Sequence, residues 1–476
     1  MLPALLLGLS LLGASPADDP PPPIHSLCDL SQSFTFYMDG RFARQYLEGL
    51  GHDARNWGNL AKADLSNTNL LVLAGGQREL PYSEASMDHI VDYVDGGGGL
   101  LVMADARPAD DGGAEAVPVN RLLARFDASL DPTTARRPLV GRDELKSVEQ
   151  FTDRGCRVLD LGKDWKPLLV DDAGRAVLAR RSYGKGQVLL GSRELFGKKP
   201  DASDPIHAVW ITPLLVELAS GKAVDAQRRP RPQRVDLERV VGPLTLEFHE
   251  GTEPFADALA AEYTLVRPHL VELTGVEPSE GMLKSLLVLP TGGGGFSSGA
   301  RIAIGAFWGG YPERRYPMIE LIAHEAGHSW VLPHAEPLWN EPIATYLGIL
   351  TGDRLGMPEA RGVLERAITR ARRLDPDLDQ MDPLAEDAPR DLVWGKSYFV
   401  FEELERLHGP GALARYFRAK RAHVPADHAN YSMDDCVAVW SEAVGVDLFP
   451  WFEGLGFGVD RERVTLSLDV PGGDGG

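Results

Sequence analysis

Two rhythms of apolar and polar positions divide the chain. In the first, short apolar runs alternate with one-faced stretches: "TNLLVLAGG", then "SEASMDHIVDYVDGGGG", then "LLVMAD". The outer two are continuous runs of the kind buried on both faces of a parallel sheet. The middle one puts Ile90, Val91 and Val94 on one side of a helix that Ser83 begins and a glycine run stops. Upstream, "SFTFYMDG" predicts a strand and "RFARQYLEGLG" a helix. Downstream, "RRSYGKGQVLLGSRELF" predicts a hairpin or edge pair and "HAVWITPLLVELASG" a closing helix. Strands alternating with helices predict one α/β domain from 30 to 222.

The rhythm stops at "KAVDAQRRPRPQRVD", which is rich in Arg, Pro and Gln and has no apolar period, so 223–236 reads as a linker. A second domain, 237–476, opens with the strand "LTLEFHEG". Next comes the helix "PFADALAAEYTLVRPHLVELTG", with Pro254 at its start and Gly275 as its stop. "SLLVLP" and "RIAIGAF" are strands joined by the flexible "TGGGGFSSG". From Pro317 onward the pattern is helical almost to the end. Strands followed by helices predict an α+β architecture.

Composition narrows the function classes. The 476 residues carry a formal charge of −20, against a nucleic-acid partner, which needs a basic footprint. The apolar run Leu2–Leu12 is shorter than the ~20 residues a bilayer span needs and is followed by small residues, so 1–17 reads as a secretory signal cut after Ala17. Residues 18–29 then form a Pro-rich connector, and the expected location is secreted or periplasmic. Of three cysteines, Cys28 and Cys156 fit a bridge with Cys436 left free; three unpaired thiols fit equally.

The densest chemistry lies in "HEAGHSWVLPHAEPLWNEP", residues 324–342. Met318, Ile319, Leu321 and Ile322 give the preceding stretch the apolar side of a helix, which Pro317 can begin. Residues four apart on a helix stack one turn above the other, so His324 and His328 aim at one point, as two zinc ligands must. Glu325 lies ~100° further round, suited to a water beside the metal rather than to the metal itself. Gly327 leaves room for another element to pack close.

Two residues compete as third ligand. His334 has the spacing of the metzincin pattern, but that pattern needs a turn-forming glycine at 331, where this chain has the β-branched Val331. Glu341 opens a second helix, "PLWNEPIATYLGIL", with Asn340 as its expected cap and Pro342 in its first turn. Twelve residues after His328 suffice for a turn and a return to the metal. The favoured set is therefore His324, His328 and Glu341 around one Zn2+.

"HEAGH" followed by "NEPIATY" resembles the gluzincin zinc metallopeptidases. The later "VWGKSYFVFEELERLHGPGALARYFRAKRA" is similar to helices that follow the site in aminopeptidase-like members. The short connection before Glu341 and the domain in front are more like enhancin-type peptidases. "YVDGGGGLLVMAD" and "YGKGQVLLGSRELF" make that front domain resemble the class I glutamine-amidotransferase-like, flavodoxin-like fold. Its turns "VLAGGQ" and "VMADAR" lack the nucleophilic cysteine, so it is expected to be non-catalytic. The G-A-M-E-N signature of aminopeptidases is absent, which points to an endopeptidase. Where the family places a transition-state tyrosine this chain has Trp394, and Tyr398, one turn later, is the expected substitute.

The resemblance thus implies a secreted zinc peptidase cutting proteins or glycoproteins through a metal-activated water, with Glu325 as general base and Tyr398 stabilising the oxyanion. "RIAIGAF" is the strand expected to pair with extended substrate. The alternative is a secreted peptide- or glycan-binding protein whose zinc is structural or vestigial.

Overall fold

In a computed structural model the chain forms two compact units that divide between Arg234 and Val235. The structure describes residues 23–31, 51–75, 82–104, 117–146, 155–192, 195, 206–290, 294–428 and 431–468. The secretory signal, the strand and helix expected over 33–51 and the cysteine-free turns after residues 75 and 104 lie outside these residues, save Gly51 at the start of β2.

The first unit holds β1 (Ile24–Asp29), β2 (Gly51–Asn56), β3 (Leu70–Gly75), α1 (Glu84–Asp95), β4 (Gly99–Ala104), β5 (Ala128–Thr134), β6 (Val140–Gly141), β7 (Arg157–Leu161), β8 (Lys166–Val170), β9 (Ala176–Tyr183), β10 (Gly186–Ser192) and α2 (Ile206–Ala219). Its main sheet runs β2-β1-β3-β4-β10-β9-β8-β6; the first five strands are parallel and the rest antiparallel. That strand order is one that doubly wound α/β sheets share. The continuous apolar runs occupy its centre: Leu70–Leu73 and Leu100–Met103 are all buried. Ser83 caps α1 by accepting the Ser86 amide.

Two features depart from the sequence reading. β1, "IHSLCD", was expected within the Pro-rich connector, yet every residue of it is buried. Its polar side chains find partners inside: Asn56 and the Tyr82 hydroxyl donate to Asp29 at 2.7 and 2.8 Å, and Ser26 donates to Asp53 at 3.0 Å. The segment expected to be a linker is tied to the first unit. Buried Asn67 takes the Asp225 amide at 2.8 Å and donates to the Arg228 carbonyl at 2.8 Å, and Asn56 accepts from the Gln233 amide at 2.8 Å. Absence of apolar period does not mean freedom when buried amides satisfy the backbone. Of the two cysteine arrangements the sequence left open, the structure has the one with three free, buried thiols.

The second unit opens with a hairpin of β11 (Leu237–Val241) and β12 (Leu244–Phe248). After α3 (Glu253–Thr274) come β13 (Ser285–Leu289), β14 (Gly295–Ser297) and β15 (Arg301–Gly305), in the sheet order β11-β12-β13-β15-β14. "GFS", expected as part of a flexible connection, is therefore the edge strand, and "RIAIGAF" is paired on both sides, so β15 offers no free edge to a substrate. The helices are α4 (Arg315–Val331), α5 (Asn340–Arg354), α6 (Glu359–Leu374), α7 (Arg390–His408), α8 (Ala412–His423), α9 (Met433–Val444) and α10 (Phe449–Gly454). Leu259, Tyr263, Val266 and Leu270 of α3 join Leu246, Leu286, Val288, Ile302 and Ile304 of the sheet and Met318, Ile319 and Ile322 of α4 in one core. Among the described residues no helix is long and apolar enough to cross a membrane.

Candidate metal centre

α4 and α5 pack as a close antiparallel pair across the 332–339 connection. At Gly327 a Cβ would lie 3.4 Å from the Ala344 Cα, an ordinary contact, so the glycine is not required there. Gly348 is what permits the approach, since a Cβ there would come 2.8 Å from the Glu320 carbonyl oxygen. With the helices this close, the first turn of α5 reaches the last two turns of α4.

The result is a cluster of ligand atoms. His324 Nε2 and His328 Nε2 lie 3.2 Å apart, their rings perpendicular at 4.8 Å between centroids. The Glu341 carboxylate spans both, 3.4 Å from His324 Nε2 and 3.5 Å from His328 Nε2. Bonds of ~2.0–2.1 Å to a tetrahedral ion put ligand atoms roughly 3.3 Å apart, and each of these separations is close to that, the carboxylate meeting His324 through Oε2 and His328 through Oε1. Glu325 is also near, since single ligand atoms of His324, Glu325 and His328 fall within 4.8 Å of one another. Two carboxylates thus compete for the third position. Glu341 fits it better, being within ligand-to-ligand distance of both imidazoles, whereas Glu325 points from the neighbouring helical position against β14. A Cβ on Gly295 would meet the Glu325 Cγ at 2.8 Å and its Oε1 at 2.9 Å.

The protonation pattern follows from burial and charge. Burial pushes the Glu325 carboxyl up to about 7, His324 opposing and Glu341 reinforcing the shift. Burial pulls His328 down to about 4, helped by the charge of His324. His324 is also penalised by burial, but the hydrogen bond and charge of Glu341, with Glu325 and Glu320, outweigh it and raise its pKa. Glu341 is held below the ordinary range, first by its hydrogen bond to His324 and then by the charges of His328, His324 and Arg390. A metal bound here would require Nε2 of both histidines to be unprotonated, so its binding would be pH-dependent.

Asn340 is not the cap of α5. Trp339 occupies that position, and Asn340, already helical, hydrogen-bonds His328 through its side chain. His334 faces away from the cluster: its ring lies near His428 and Tyr431, and its carbonyl accepts from Lys420 at 2.6 Å. Tyr398 is corrected too. It is 2% exposed, its ring stacks on Tyr346, and its hydroxyl bonds Thr345, which in turn lies 2.9 Å from His324 Nδ1. The hydroxyl is therefore on the Nδ1 side of His324, away from the Nε2 that faces His328 and Glu341. Thr345 and Glu320 were missed, although Thr345 follows Glu341 by four residues and Glu320 precedes His324 by four, a spacing that puts each on the same helical face.

No family model and no curated protein matches the chain. Solved structures are similar over parts of it. The mmIFT52 N-terminal domain is 17% identical, with 40% of this chain and 96% of that chain covered at a TM-score of 0.33. Native yeast LTA4 hydrolase is 15% identical over 45% of this chain and 38% of its own, TM-score 0.32. The M1 zinc metallopeptidase from Deinococcus radiodurans is 16% identical over 47% of this chain and 52% of its own, TM-score 0.32. The chain thus spans about half or less of the length of the latter two. Likenesses this partial assign no family, and the chemistry rests on the site itself.

Proposed function

We propose that the protein is a secreted zinc-dependent metallopeptidase, an endopeptidase acting on proteins or glycoproteins. One observation carries the reading: two imidazoles from one helix and a carboxylate from the next stand 3.2, 3.4 and 3.5 Å apart, with a buried second carboxylate alongside. His324, His328 and Glu341 would hold the ion. When bound, zinc supplies Lewis acidity that polarises a carbonyl and makes water nucleophilic near neutral pH.

Glu325 then has one task. Its carboxyl, 6% exposed and beside both imidazoles, takes the proton of the attacking water and delivers it to the leaving nitrogen. β14 supplies the edge along which an extended peptide pairs, and Gly295 sets the distance from that edge to Glu325. With Tyr398 behind His324, the oxyanion donor is drawn from elsewhere. Export is supported by the apolar Leu2–Leu12 run.

Cleavage profiling of the purified protein on a protein library, with and without chelator, tests the proposal. Chelator-sensitive internal cuts are expected, and Glu325→Gln should lower turnover by roughly 10²–10⁴-fold while zinc stays bound. Zinc uptake without cleavage of any protein would favour the binding-protein alternative.

A further inference from the structure

Behind the candidate metal centre lies a group of buried polar side chains that the proposed reaction leaves without a task. Thr345 Oγ1 is 2.9 Å from His324 Nδ1, and the Tyr398 hydroxyl bonds Thr345. Glu320, one turn before His324 on α4, lies close enough for its charge to act on both His324 and Tyr398. Three helices contribute: α4 gives Glu320 and His324, α5 gives Thr345 and α7 gives Tyr398. Gly348 of α5 keeps the Glu320 side chain in place, since a Cβ there would fall 3.1 Å from the Glu320 Cγ.

We infer that Thr345, Tyr398 and Glu320 form a positioning column that fixes the ring and the tautomer of His324 for metal binding. The inference rests on the metallopeptidase reading, because it assigns work only if Nε2 of His324 is a ligand. A ligating Nε2 must present its lone pair, so the ring proton sits on Nδ1 and needs an acceptor. Thr345 Oγ1 is that acceptor. Its own hydrogen then goes to the Tyr398 oxygen, an assignment that follows from the network. Glu320 stands one turn before His324 on the same face of α4, behind the imidazole. The column explains why a tyrosine so near the site is sealed from substrate: Tyr398 acts through Thr345 and His324.

Competitive zinc titration of the full chain, with the visible spectrum of the cobalt-loaded protein, tests the column without any substrate. Thr345→Val keeps shape and removes the acceptor; it should weaken zinc by about 10–100-fold and alter the cobalt spectrum. Thr345→Ser should restore both. Tyr398→Phe, which removes one hydroxyl from an otherwise unchanged ring, should weaken zinc severalfold and keeps the test decisive if the valine variant fails to fold. Wild-type affinity and spectrum in Thr345→Val, or in Tyr398→Phe should the valine variant not fold, would overturn the column while leaving the metallopeptidase reading intact. Failure of the unmodified protein to take up either metal would overturn both.

Discussion

Glu336 and Glu341 stand five residues apart, one within the connection between α4 and α5 and the other just past its end, and have opposite surroundings. Glu336 is 2% exposed and every oxygen is used. Lys420 pairs with it, Tyr416 donates to both its oxygens at 2.8 and 2.7 Å, and the Cys436 thiol lies 2.9 Å away. Lys420 also donates to the carbonyls of Val331 at 3.1 Å and His334 at 2.6 Å, so the connection is bolted to α8 where it leaves α4. The Glu341 side chain is 56% exposed, and its ion-pair partners at the cluster are two imidazoles. One carboxylate closes its own network and holds the chain in place. The other is delivered at the end of that connection, half in solvent, with only the two imidazoles and the charge of Arg390 near it. Stability and candidate function are thus separated within one short stretch.

The contrast can be broken at either end. Lys420→Ala leaves Glu336 buried without its cation and should cost about 3–5 kcal/mol of stability, read as a large drop in thermal midpoint. A midpoint within a degree of wild type would show that the network is not what holds the connection. Glu341→Ala should do the reverse: stability of the metal-free protein changes by no more than ~0.5 kcal/mol, as for an exposed position, while zinc affinity falls by more than the ~100-fold seen for residues that only support a ligand. Gly295→Ala is expected to be smaller in effect. Its Cβ displaces Glu325, so turnover should fall by up to about 10²-fold with zinc retained. Unchanged turnover would mean β14 does not set the position of Glu325. His334→Ala should leave zinc affinity unchanged within about twofold, since its ring faces His428 and Tyr431; a large loss would instead favour a three-histidine centre.

What was legible in the sequence was whatever local rules decide. The buried parallel strands at Leu70–Leu73 and Leu100–Met103, the Ser83 cap, the Gly275 stop and the i, i+4 histidines all follow from periodicity and capping within one element. So did the reach of Glu341, because a helix start and a short connection fixed it. What was not legible depends on distant partners. β1 mixes polar and apolar residues beside prolines and becomes a central strand only because Asn56, Asn69 and Tyr82 satisfy it. β11 is mostly exposed and carries little apolar signal. Tyr398 was placed on the right face of α7, but the depth of that face, behind His324 rather than beside the substrate, is set by how α5 packs between them. Asn340 looked like a cap because its residue type favours one, yet His328 takes its side chain.

The central claim is that one ion is held jointly by His324, His328 and Glu341. Metal content by elemental analysis, after dialysis against a trace of zinc, tests it most directly. One zinc per chain is expected in the unmodified protein, and much less than one in His324→Ala and Glu341→Ala of unchanged stability. Protein that comes through dialysis without metal and takes up none on titration would contradict the account.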